Sequence, residues 1–203
     1  MIKNIIFDIG NVLAHFRGDN LLQDLGLSGE ALETVANATI RSGAMWNEFD
    51  RSVIPDEEVI AGCVAKAPQY EKEIHMLFDN IRYIAKEYPH AQEWIKSLKA
   101  EGYRVYLLSN YGRTAFEATS KELGFISLVD GMVISYEVKY VKPEPEIYQA
   151  LFDKYNLKPD ECVFLDDREE NIRAAESFGM HGIVVQSKEQ ADEELRKMLK
   201  ENI

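Results

Sequence analysis

The feature that most constrains this chain is a recurring unit: a short β-rich apolar run that stops at a polar or acidic residue. The first run is Ile2, Ile5, Ile6 and Phe7, closed by Asp8-Ile9-Gly10-Asn11. Arg104-Val105-Tyr106-Leu107-Leu108 ends at Ser109-Asn110, and Met132-Val133-Ile134 follows Asp130-Gly131. Val163-Phe164-Leu165 ends at Asp166-Asp167, and Gly182-Ile183-Val184-Val185 comes last. Four of the five runs are preceded by helical patterns. Apolar strands alternating with helices predict an α/β fold with a parallel sheet covered on both faces.

The helices follow from the 3.6-residue period. Ala91, Trp94, Ile95 and Leu98 share one face, with Gly102 placed to end the helix. Ala115, Phe116, Thr119 and Leu123 repeat the pattern up to Gly124. Ile147, Tyr148, Leu151, Phe152 and Tyr155 form a stripe across 145–157. Ile172, Ala175 and Phe178 form another, ended by Gly179, and 188–201 is a charged amphipathic helix. Residues from about 18 to 88 differ. Leu21, Leu22, Leu25, Leu32, Val35, Trp46, Phe49, Val59 and Cys63 fall at helical spacings with no strand alternation. Helix starts appear at Ser28-Gly29-Glu30 and Pro55-Asp56-Glu57-Glu58. The stretch reads as a helical insertion after the first strand.

Composition narrows the function classes. The 203 residues suffice for one large domain with an insertion. A net charge of −12 argues against nucleic acid or an anionic membrane as partner. Cys63 and Cys162 lie far apart, which fits neither a disulfide framework nor a cysteine zinc site. The N-terminal apolar run is too short for a signal peptide, and no transmembrane-length apolar run occurs, so a cytoplasmic location is expected.

Open α/β sheets bind ligands at the carboxyl ends of their strands. Those ends bring Asp8, Ser109-Asn110 and Asp166-Asp167, and Lys142 follows the third run. Oxygen donors of this kind suit Mg2+, which takes one or two carboxylates plus waters and substrate phosphate. Lys142, Ser109 and backbone N–H groups suit phosphate oxygens. An aspartate can also act as nucleophile in phosphoryl transfer. Taken singly, each residue has an ordinary structural explanation, such as a strand-end turn or a helix cap. Two adjacent carboxylates repel, however, and a nearby cation accounts for them more naturally.

Four segments in order resemble the motifs of the haloacid dehalogenase-like (HAD) hydrolase superfamily. They are Phe7-Asp8-Ile9-Gly10-Asn11-Val12, Leu107-Leu108-Ser109-Asn110, Val141-Lys142-Pro143-Glu144-Pro145-Glu146-Ile147-Tyr148, and Phe164-Leu165-Asp166-Asp167-Arg168-Glu169-Glu170-Asn171 with the residues that follow. The resemblance implies a Rossmann-like core over 1–14 and 89–203, with a helical cap over 15–88. Within the superfamily the chain is similar to the subgroup holding bacterial α-D-glucose-1-phosphate phosphatases and the phosphatase domain of soluble epoxide hydrolase. It implies a Mg2+-dependent phosphatase acting on a small phosphomonoester such as a sugar phosphate. A monomer or small homo-oligomer is expected.

The roles implied by the resemblance follow position by position. Asp8 is the nucleophile and, with Asp167 and the Gly10 carbonyl, a metal ligand. Ser109, Asn110 and Lys142 bind the phosphoryl group, and Lys142 also orients Asp8. Asp166 lies behind the metal, and Asn171 holds Asp167 or a metal-bound water. Phe16 and Arg17, just after the flap, are candidates to touch the leaving group; the segment of Trp46 resembles the subgroup's cap segment facing the active site, and Trp46 reads equally as an aromatic of the cap core. One position departs from the family: most of its phosphatases carry a second Asp, the general acid, where this chain has Gly10. His15, Asp19, Glu48 and Asp50 are the flap and cap residues available as substitutes. Gly10 also invites a rival reading, a catalytically weak binding or regulatory protein. A dehalogenase is a second rival, disfavoured by Asp166-Asp167.

Overall fold

The computed structural model describes residues 1–201. The chain opens with β1 (Asn4–Phe7) and the short β2 (Ala14–Phe16). Five helices follow: α1 (Gly18–Asp24), α2 (Gly29–Ala38), α3 (Gly43–Arg51), α4 (Asp56–Lys66) and α5 (Glu71–Asp79). Then come β3 (Ala85–Glu87), α6 (Ala91–Ala100), β4 (Arg104–Ser109), α7 (Arg113–Thr119), β5 (Gly131–Ile134) and α8 (Ser135–Val138). The last part holds α9 (Pro145–Tyr155), β6 (Cys162–Asp166), α10 (Glu169–Ser177), β7 (His181–Val184) and α11 (Lys188–Lys200).

The five expected runs form one parallel sheet in the order β5-β4-β1-β6-β7. In β1, side chains alternate between two cores, as the strand period of two requires. Ile5 and Phe7 join Val105, Leu107, Val163 and Leu165 on one face, where α6 and α11 add Trp94, Ile95, Leu98 and Leu195. Ile6 joins Tyr106, Leu108 and Phe164 on the other, where α9 and α10 add Ile147, Tyr148, Leu151 and Ile172. All of these side chains are buried. Each contributes about 1.5–3 kcal/mol on leaving water.

Residues 17–84 are helical, as expected, but they are closed at the base by a two-stranded ribbon that periodicity does not reveal. Here β2 pairs antiparallel with β3, and Arg17 N–H to Ile84 O and Tyr88 N–H to Leu13 O extend the pairing. The helices α1–α5 pack Leu21, Leu22, Val35, Val59, Ile74 and Leu77 into the same apolar cluster as one sheet face. Two helix ends fall earlier than the pattern suggests. α7 stops at Thr119, and α9 stops at Tyr155 because Asn156 adopts the left-handed conformation, φ 52°.

Candidate active site

The sheet order places the carboxyl end of β1 between those of β4 and β6, where the chain's direction of growth reverses. Such a switch point opens a crevice above the strand ends. Asp8 leaves β1 here, its N–H donating to Leu165 O at 2.9 Å. Asp166 and Asp167 leave β6, and Ser109 and Asn110 leave β4. The loop between α8 and α9 carries Lys142 across.

Lys142 is the hub of this end of the sheet. Its Nζ lies 2.8 Å from Asp8 Oδ1 and 2.6 Å from Asp166 Oδ2, and all three groups are buried. Burial opposes the charged lysine, and the two carboxylates more than reverse that effect, so its pKa rises. Asn110 fixes the lysine from behind: its Oδ1 accepts the Lys142 N–H at 2.7 Å and its Nδ2 donates to the Lys142 carbonyl at 3.0 Å. The Asn110 amide is therefore engaged with the backbone of Lys142.

Asp166 is saturated. Besides Lys142, it accepts from Arg168 N–H at 2.8 Å and from Asn171 Nδ2 at 2.9 and 3.1 Å. Asn171 thus holds Asp166 through its Nδ2, where the sequence suggested Asp167 or a metal-bound water as its partner. Asp167 is held instead by Asn11, whose Nδ2 donates to Oδ2 at 2.9 Å. Asn11 has φ 56°, a conformation that Asn tolerates better than most side chains.

The carboxylates crowd one another. One oxygen each from Asp8, Asp166 and Asp167 lie within 4.8 Å. Burial raises the Asp8 pKa to about 6; Lys142 opposes this, while Asp166 and Asp167 add repulsion. Burial likewise raises Asp167, and Asp166 adds to it. One lysine does not balance three carboxylates, and with Asp166 saturated the open donors are Asp8 and Asp167. The Asn171 Oδ1 is buried without a hydrogen-bond partner among the described residues and lines the same cleft, an acceptor suited to a metal-bound water. The donor set fits a hard divalent cation.

The crevice has two halves. The polar half is lined by Asp8, Asn11, Asn47, Lys142, Asp167, Arg168 and Asn171, with Ile40 as its one apolar residue not shared with the other half. The apolar half is lined by Ile9, Phe49, Ile84, Ala85, Tyr111 and Ala115. Gly10, Phe16, Trp46, Asp50, Ser109 and Asn110 belong to both. Trp46 sits between Phe16 and Phe49, with ring centroids 6.0 and 5.2 Å away. Arg17, expected beside the leaving group, lies outside both halves and is bound to Asp24 at 2.7 Å and to Tyr83 O. Sequence reasoning gave no role to Asn11, whose pairing with Asp167 no local pattern announces. It also missed Phe49, Ile84 and Tyr111, whose apolar spacing looks like ordinary core.

No helix among the described residues is long and apolar enough to cross a membrane. The family model for haloacid dehalogenase-like hydrolases matches residues 2–179. The mouse protein acyl-CoA dehydrogenase family member 10 is 28% identical over 97% of this chain, which spans 19% of that protein. The sesquiterpene phosphatase of Aspergillus oryzae is 25% identical, with 89% of this chain and 88% of that protein covered. The D-ribitol-5-phosphate phosphatase of Bacteroides thetaiotaomicron is 26% identical, with 88% and 89% covered. A HAD family enzyme from the same bacterium, solved in complex with magnesium and inorganic phosphate, superposes with a TM-score of 0.71 at 22% identity, covering 93% of this chain and 96% of that one. The strand-end carboxylates, the lysine bridging two of them and the match across residues 2–179 lead to one assignment: this chain belongs to the haloacid dehalogenase-like hydrolases.

Proposed function

We propose that the protein is a Mg2+-dependent phosphatase acting on small phosphomonoesters through an aspartyl-phosphate on Asp8. The observation that carries this reading is the buried Asp8 carboxylate, ion-paired to Lys142 and crowded by Asp167 at the end of β1. The phosphatase relatives from Aspergillus and Bacteroides support it, as does the magnesium and phosphate complex of the structural neighbour. Residues 15–88 serve as the cap.

Asp8 attacks phosphorus in line; its P–O bond forms as the ester P–O bond breaks. Lys142 and the buried Ser109 hydroxyl neutralise and hold phosphoryl oxygens where charge accumulates. Asn110 acts by holding Lys142 in place. When bound by Asp8, Asp167 and the Gly10 carbonyl, Mg2+ supplies charge neutralisation and orientation of the phosphoryl group. Water then cleaves the acyl phosphate, releasing phosphate and restoring the Asp8 carboxylate.

The leaving group has two readings. A sugar phosphate such as glucose 1-phosphate follows from the subgroup resemblance, and the ribitol-phosphate relative supports it. The phosphate ester of a largely apolar alcohol is favoured by the Phe16–Trp46–Phe49–Ile84 wall, and the sesquiterpene phosphatase relative supports it. Phosphate release from p-nitrophenyl phosphate, sugar phosphates and prenyl-type phosphates, with and without EDTA, tests both. Turnover is expected to need Mg2+ and to fall by at least ~10⁴-fold in Asp8→Asn. Turnover unchanged in Asp8→Asn would refute the mechanism. Halide release from 2-haloacids without phosphate release would assign a dehalogenase instead.

A further inference from the structure

Gly10 removes the side chain that most family phosphatases use to protonate the leaving oxygen, and the phosphatase reading leaves that proton without a source. Of the four flap and cap candidates, three are turned elsewhere. His15 is exposed on β2 and stacked on Tyr88. Asp19 is paired with Arg41 at 2.6 Å, and Glu48 with Arg51 at 3.5 Å. None of the three lines either half of the crevice.

Asp50 does. It is 6% exposed and lines both halves, as Gly10 does. It also stands at a point where the insertion is anchored to the core. Its carbonyl accepts from Ser135 Oγ at 2.7 Å, and the next carbonyl but one, Ser52 O, accepts from Lys139 Nζ at 2.8 Å. Arg51 makes a two-pronged pair with Glu144, at 2.9 and 2.5 Å. Gly112 brings the loop after β4 so close that a Cβ there would lie 2.7 Å from Phe49 O. A donor supplied by the cap is thus held in the frame of the core.

Resting on the phosphatase reading, we infer that the Asp50 carboxyl group is the general acid of this site, delivering from the cap the proton that Gly10 lacks. As the ester P–O bond breaks, its electron pair passes to the leaving oxygen, which takes the Asp50 proton. The Asp50 carboxylate then takes a proton from the attacking water as the aspartyl-phosphate is hydrolysed. Each cycle returns the acid to its starting form.

The surroundings favour the protonated form. Burial pushes the Asp50 pKa up to about 8, against a backbone N–H from Gly112. The charges facing it are Asp8 from β1, which raises it, and Lys142 and Arg168, which lower it; the Tyr111 phenol also lies within its field. A carboxylic acid near that value is matched to work close to neutral pH.

The test compares esters with poor and good leaving groups in Asp50→Asn. Loss of a general acid should lower kcat/KM for an alkyl phosphate by ~10²–10⁴-fold and for p-nitrophenyl phosphate by less than ~10-fold. At Gly10 an added Cβ would meet only Phe16 Cβ, at 3.8 Å, an ordinary van der Waals contact, so a side chain can start there without a backbone clash. Gly10→Asp in the Asp50→Asn background should therefore recover alkyl-phosphate turnover at least ~10-fold. Equal losses on both esters, or no loss, would overturn the proposal. If Asp50→Asn does not fold, the wild-type protein carries the test through the slope of log kcat/KM against leaving-group pKa. A shallow slope supports an acid in the site, and a steep one overturns it. Wild-type turnover of p-nitrophenyl phosphate is the control: its absence would bring down the phosphatase reading and the proposal together.

Discussion

The two halves of the crevice are built by different means. The polar half is a closed network of charge: Lys142 binds Asp8 and Asp166, Asn171 and a backbone N–H fill Asp166, and Asn110 locks the lysine's backbone. Each position is determined by polar contacts among residues from strand ends, the α8–α9 loop and helix α10. The apolar half rests on the packing of rings, with Phe49 and Trp46 leaning on Phe78 and Phe16. Rings fill volume and can be exchanged for others of similar size, whereas a buried charge network fails when one member is lost. On the proposed function, the first half sets the reaction and the second sets the alcohol.

Substitutions can break or sharpen that contrast. The largest effect is expected from Lys142→Met, which strands two buried carboxylates. Urea unfolding should show a loss of about 3–5 kcal/mol together with loss of turnover. A stability change under ~1 kcal/mol would show that the polar half is not the rigid network described. Trp46→Ala comes next. It should cut kcat/KM for the best ester by ~10–200-fold while leaving inhibition by inorganic phosphate within about twofold, since on the proposed function Lys142 and Ser109, and not Trp46, hold the phosphoryl oxygens. Equal weakening of both would erase the division of labour. Arg17→Ala should do least: its partners Asp24 and Tyr83 lie outside the crevice, so turnover should stay within about twofold and stability within ~0.5 kcal/mol.

The sequence carried the sheet and the strand-end residues because both depend on local pattern. A run such as Val163-Phe164-Leu165 ending in two aspartates states its burial and its stopping point within five residues. The helices α6, α9, α10 and α11 were legible for the same reason. The ribbon β2–β3 was not. Three residues are too few for alternation to show, and their pairing spans most of the insertion. Polar pairing was equally hidden. Nothing in a linear pattern says that Asn171 turns to Asp166, that Asn11 takes Asp167, or that Asn110 spends its amide on the backbone of Lys142. Phe49 reads as core by spacing, and it is core, yet the same ring forms one wall of the crevice.

The central position of β1 has a consequence for how the chain is made. Asn4 pairs with Arg104 and Cys162, the second partner 158 residues away. Parallel pairing at that distance closes long loops before contacts reward it, which slows folding. At ~5–20 residues per second of synthesis, the first strand waits on the order of ten seconds or more before β6 leaves the ribosome. Until β4 is made Ile5, Ile6 and Phe7 lack both neighbouring strands, and until β6 is made they still lack one. A nascent chain of this protein should therefore engage holding chaperones through its first strand, and fusions truncated before β6 should aggregate.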